Sequence, residues 1–96
     1  MTTPSDDPVV RRFRDQISDN DLQIIALINK RLALVDQLWR YKAEHGLDMY
    51  VPEREAQMVT FLTEANMGPL SDEALHEVYR VIVETTKAEA ARLGQG

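Results

Sequence analysis

The sequence predicts an all-α fold of three helices, one long and N-terminal and two shorter, and three observations carry that prediction. Apolar side chains recur at three-and-four spacing through most of the chain. Start and stop residues divide that pattern at two places only. No stretch alternates apolar and polar residues as a half-buried strand does, and no repeat or low-complexity segment interrupts the pattern.

The first helix starts at Asp7-Pro8, where an aspartate can accept hydrogen bonds from the free N–H groups of a first turn and proline already has a helical φ. Its stripe runs through Val10, Phe13, Ile17, Ile24, Ile28, Leu32, Val35 and Leu38, with no Gly or Pro before Gly46. A helix from 8 to 45 is about 57 Å long at about 1.5 Å per residue, well beyond the width of a compact domain of this size. Gly46 suits a left-handed C-cap, and a connector over 46–51 leads to the second start, Pro52-Glu53-Arg54-Glu55, whose acids suit the positive helix end. Met58, Val59, Phe61, Leu62 and Ala65 carry that helix to Asn66, where Asn66-Met67-Gly68-Pro69 predicts a glycine cap followed by a breaker. Ser71 is the N-cap of the third helix, whose stripe of Leu75, Val78, Tyr79, Ile82 and Val83 extends to about Leu93. One domain over 8–93 is therefore expected, with a frayed N-terminus over 1–7 and a short tail over 94–96.

Two short helices cannot cover the whole stripe of the long one, so the long helix is expected to pair with its own copy in a homodimer whose folding and association are coupled. Composition narrows the function. The chain has 96 residues, 11 Lys+Arg against 16 Asp+Glu, a net charge of −5, 44% hydrophobic residues and no cysteine. One small domain is expected rather than a large multidomain enzyme, thiolate metal sites and a cysteine nucleophile are excluded, and nucleic acid is disfavoured as the main partner. The longest apolar run, Ile24 to Ile28, is too short for a membrane span, and Met-Thr-Thr-Pro-Ser-Asp-Asp lacks the basic and apolar regions of a secretory signal, so no membrane and a cytoplasmic location are expected.

Cations then stand where apolar residues belong. Arg31 shares the register of Ile17, Ile24 and Leu38, while Lys42 continues the column of Ile28 and Val35, which Arg14 begins. A single such cation is most simply a side chain lying along the core with its head in water. Arg31 and Lys42, however, lie eleven residues apart, which returns to nearly the same face about 16 Å along the axis, so the two can close on one small dianion. Arg14 is about 25 Å from Arg31 on the same helix, too far for both to touch one small ligand, so it joins a site only from a partner subunit. Arg54 reads on its own as a solvated first turn. Thr85 and Thr86 read as hydroxyls bonding back one turn, and Trp39 and Tyr41 as packing residues. His45 and His76 have no partner at metal spacing, so no metal is expected, and phosphate-loop and hydrolase motifs are absent from the sequence.

Five segments in order carry a resemblance: Phe13-Arg14-Asp15-Gln16-Ile17 with Asp21-Leu22; Asn29-Lys30-Arg31-Leu32; Tyr41-Lys42-Ala43-Glu44-His45-Gly46-Leu47; Pro52-Glu53-Arg54-Glu55-Ala56; and Gly68-Pro69-Leu70-Ser71-Asp72-Glu73-Ala74-Leu75. They resemble the all-helical AroQ class of chorismate mutases, free-standing or as the mutase domain fused to prephenate dehydratase, over about residues 10–88. The resemblance implies an intertwined homodimer with two sites, each completed by an arginine from the other chain. Carried over by position, it makes Arg14 the crossing arginine, Arg31 the main clamp on a substrate carboxylate, and Lys42 the donor to the ether oxygen and a carboxylate. Arg54 would help hold the site together, Glu55 would meet the ring hydroxyl, and Thr86 would take a place often filled by Ser. Two substrate-binding positions depart from the family pattern. Val51 stands where an acid is common, and Ala90 where Gln or Glu is usual.

The implied reaction, chorismate to prephenate, is a unimolecular [3,3] rearrangement in phenylalanine and tyrosine biosynthesis that requires no cofactor, nucleophile or general base. A protein accelerates it by holding the dicarboxylate folded and placing cations where negative charge grows on the ether oxygen. Three alternatives stay open on the sequence: a 4-amino-4-deoxychorismate mutase, an isochorismate pyruvate lyase, or a helical dimer that is non-catalytic or switched on by an activating partner enzyme. Glu55 favours the hydroxylated substrate and Val51 weakly opposes it.

Overall fold

The computed structural model describes residues 7–94, and among them the secondary structure is entirely helical: α1 spans Pro8–Glu44, α2 Pro52–Ala65 and α3 Asp72–Gly94. Of the expected frayed segment and tail, all but Asp7 and Gly94 lie outside the described residues. Asp7 is the cap of α1, its Oδ1 accepting from the backbone N–H of Val9 at 2.8 Å and of Val10 at 3.2 Å. Gly94 is the last residue of α3 and not the first of a tail.

The other helix ends follow the same donor-and-acceptor accounting. Gly46 has φ +65°, which lets the N–H of Leu47 reach back to the carbonyl of Lys42 at 2.9 Å while Gly46 N–H points at Ala43 O, 3.5 Å away. These two bonds satisfy carbonyls that α1 would otherwise leave free. At the start of α2, Val51 is extended and offers no side-chain cap. Pro52 has no N–H to satisfy, and Glu53 and Glu55 lie in the positive first turn. Ser71 Oγ accepts from Ala74 N–H at 3.1 Å, the N-cap bond expected for α3.

The stop of α2 differs from expectation. Gly46 is the one described glycine with positive φ, so Gly68 does not cap the helix. Asn66 ends it instead, with φ −72° and ψ 106°, its side-chain amide donating to Leu70 O at 2.7 Å and its Oδ1 accepting from Gly68 N–H at 3.4 Å. A side chain that bridges the turn in this way makes a left-handed backbone unnecessary.

The chain divides into two compact units, one reaching to Lys30 and the other starting at Arg31. The first is the N-terminal part of α1, in which every described residue except Val10 and Ile28 is exposed, including the apolar Phe13, Ile17 and Ile24. The second holds the rest of α1 together with α2 and α3. Its buried residues are Val83, Thr86 and Ala90, all on α3. Arg80 ties Glu77 and Glu84 on the exposed side of α3, and its guanidinium keeps the Glu77 carboxyl below the usual glutamate range. No described helix is long and apolar enough to cross a membrane.

Candidate active site

In the second unit the three helices and the connector before α2 border an open cavity of about 590 Å³. One part of its wall is apolar, supplied by Val35, Leu38 and Trp39 of α1, Met58 and Leu62 of α2, and Val83 of α3. The other part is charged. Arg31 and Lys42 enter from α1, Arg54 and Glu55 from the first turn of α2, and Lys87 from α3. Four cations and one carboxylate in a pocket with an apolar floor select a small anion carrying some apolar surface.

Arg31 is held from α3. Its Nη1 donates to Thr86 Oγ1 at 2.6 Å, and its guanidinium carbon stands 6.0 Å from the centre of the Tyr79 ring. The Thr86 hydroxyl donates in turn to Ile82 O at 2.7 Å, with Val83 O a longer 3.2 Å away. The back-bonding expected of a mid-helix threonine therefore occurs, and it spends the hydroxyl proton inside α3, leaving lone pairs for Arg31. With one N–H fixed by Thr86, the rest of the planar fork is available for a carboxylate.

Glu55 is also committed. Its carboxylate forms an ion pair with Lys87 Nζ, and that ammonium lies 4.6 Å from the centre of the Tyr50 ring, which comes from the connector before α2. Arg54 lines the cavity although its side chain is largely exposed, so the solvated first turn and a place at the site describe the same residue. Tyr41 stacks on His45, ring centres 4.0 Å apart, and is exposed; Trp39 is the aromatic of that pair of residues that lines the cavity. His76 Nε2 meets Thr63 Oγ1 at 2.7 Å.

The residues singled out from the sequence thus fall into four groups. Arg31, Lys42, Val51, Arg54 and Glu55 line one cavity. Thr86 is buried and reaches it through Arg31. Ala90, 2% exposed, is packed in α3 and does not form part of the lining. Arg14 is exposed and belongs to the first unit. Lys87, Tyr79 and Tyr50 were not anticipated. A lysine four residues after Val83 and eight after Tyr79 sits on the buried stripe of α3, so the reasoning that singled out Arg31 and Lys42 on α1 would have found Lys87 as well.

Residues 13–91 match the family model of chorismate mutase type II. The chain belongs to that family. Among relatives of this chorismate mutase type II chain, the T-protein of Haemophilus influenzae is 33% identical over 86 residues, covering 88% of this chain and 23% of that protein. The bifunctional chorismate mutase/prephenate dehydratase of Aquifex aeolicus is 30% identical over 78 residues, covering 77% of this chain and 22% of that protein. The chain thus spans under a quarter of the length of these relatives. The fold is similar to a solved structure of chorismate mutase (form II) from Thermus thermophilus, with a TM-score of 0.81 and 29% identity, covering 86% of this chain and 94% of that one. A second structure of the Thermus thermophilus enzyme, form I, matches with a TM-score of 0.77 at 30% identity, over 80% of this chain and 96% of that one.

Proposed function

We propose that this protein is a chorismate mutase that converts chorismate to prephenate for phenylalanine and tyrosine biosynthesis. The observation that carries the reading is the convergence of Arg31, Lys42 and Arg54 on one cavity with an apolar wall, in a chain of the chorismate mutase type II family. Chorismate is a compact dianion with an unsaturated ring, and such a cavity complements both features.

The rearrangement breaks the ether C–O bond and forms a C–C bond within one molecule, so no proton or group leaves. Two tasks fall to the protein. The first is to hold the enolpyruvyl arm over the ring, and Arg31, steadied by Thr86, does this by gripping one carboxylate while the apolar wall packs the ring. The second is to stabilise negative charge on the ether oxygen as the bond stretches, and Lys42 does this as a compact, charged donor. Arg54 keeps the cavity positive and helps hold the site together, and Glu55 accepts from the ring hydroxyl. Val51 meets the substrate by contact alone, and Ala90 leaves the ether oxygen without the second donor that a Gln or Glu at that position would supply.

The site is completed in a homodimer by the partner subunit's Arg14, which grips the second carboxylate. The exposed Phe13, Ile17 and Ile24 on the same helix support this reading, since covering an apolar stripe of that kind with another surface is favourable.

The test is turnover of chorismate by the purified protein, with the product identified by NMR and Arg31→Ala as the control. Prephenate from the wild type and its loss in the variant is the expected result. A folded protein that leaves chorismate unchanged would overturn the reading.

A further inference from the structure

Within the cavity, Glu55 is the only acid among four cations, and it is not free: Lys87 pairs with it from α3. Both side chains keep 36% of their exposure, so the pair is neither locked in a dry core nor fully open to water. The Tyr50 ring, 4.6 Å from Lys87 Nζ, attracts the ammonium through its negative face and helps keep it beside Glu55. Connector, α2 and α3 therefore meet at one charged point on the cavity wall.

The occupied carboxylate has a chemical consequence. A carboxylate has two oxygens and about four acceptor positions, so a neutral hydroxyl of a ligand can donate to Glu55 while Lys87 stays in place. An amino group cannot share it on the same terms. Beside a carboxylate it takes a proton, and the resulting cation would lie a few ångströms from the Lys87 ammonium. Without Lys87, Glu55 would be an unpaired acid and would favour the cation instead.

We propose that Lys87 is a specificity-determining residue, which neutralises Glu55 so that the site accepts a ring bearing a hydroxyl and rejects one bearing an amine at that position. The proposal rests on the function proposed above, and it adds a residue and a selection rule to it. A purely structural strap between α2 and α3 would slow both substrates alike, so the ratio of the two kcat/KM values separates selection from support.

The experiment compares wild type, Lys87→Met and Lys87→Arg with chorismate and with 4-amino-4-deoxychorismate. The wild type should prefer chorismate. Lys87→Met, which keeps the length of the side chain without its charge, should shift the ratio toward the amino substrate by about tenfold or more, the scale of one unit charge a few ångströms away in a partly solvated cavity. Lys87→Arg should hold the wild-type preference. If Lys87→Met turns over neither substrate, calorimetric binding of the same two compounds to it supplies the ratio. An unchanged ratio in Lys87→Met, with the wild type active, overturns the role of Lys87 alone. A wild type inactive on both substrates overturns the proposed function, and this selection rule with it.

Discussion

Arg31 Nη1 and Thr86 Oγ1 are 2.6 Å apart, although they stand fifty-five positions apart in the chain, and through them the part of α1 in the second unit is fastened to α3. The bond is directional. Thr86 gives its proton to Ile82 and receives one from Arg31, so the guanidinium is oriented before any ligand arrives. Preorganisation of this kind matters when the reaction is a conformational one, because the barrier includes the entropy of folding the substrate into its reactive shape.

Thr86→Val keeps the shape of the side chain and removes the acceptor. Arg31 lines the cavity and its freed N–H can turn to water, so the expected loss in unfolding free energy is about 0.5–1.5 kcal/mol, the net worth of one hydrogen bond. Arg31 should also lose its orientation, raising KM for chorismate about tenfold, whereas Thr86→Ser should keep both properties. Chemical denaturation and steady-state kinetics on the three proteins check this. A Val variant with wild-type KM would show that Arg31 is held by other means.

Lys42 tests a different quantity. An interaction made only as the ether bond stretches lowers kcat when removed, while one made equally to the ground state raises KM. Lys42→Ala should therefore reduce kcat by about 100- to 1,000-fold, the range found when a single charged or oriented donor is taken from a developing oxyanion, with a smaller change in KM. Stopped-flow or spectrophotometric turnover of chorismate measures both. If kcat stays intact, the ether-oxygen role belongs to another cation of the cavity.

Much of this arrangement was legible in the sequence, and the parts that were not have a common cause. Local chemistry could be read directly. Asp7-Pro8, Gly46, Pro52 and Ser71 each act on the backbone within a few residues of themselves, and each stands where a helix begins or ends. The three-and-four spacing on α1 put Arg31 and Lys42 on one face, and both line the cavity. Gly68 misled because two turn-forming residues stand two apart, and the Asn66 side chain made its bonds before a left-handed glycine was needed. The partnership of Glu55 with Lys87, and of Arg31 with Thr86, depends on the register between helices. Periodicity within one helix carries no information about that register, so the pairs emerge only once the helices are packed.

The position of Arg14 yields the sharpest test of the homodimer. If each site takes Arg31 from one chain and Arg14 from the other, the single variants Arg14→Ala and Arg31→Ala are each inactive for a different reason. Refolding the two together in equal amounts makes half of the dimers mixed. A mixed dimer has one site with both arginines intact, contributed from opposite chains, and one site with neither. About a quarter of the wild-type activity per site should therefore return, by counting over a two-fold symmetric dimer. A site drawing both arginines from a single chain gives the opposite result, because every mixed dimer would then carry one defect in each of its sites. Recovery of activity on mixing, measured against each variant refolded alone, supports the crossing arginine. Absence of recovery, with mixed dimers demonstrated by mass spectrometry of differently tagged chains, would sink it. The exposed apolar residues that share this part of α1 with Arg14 also predict that Ile24→Asp weakens association, shifting sedimentation toward monomer and removing the recovered activity with it.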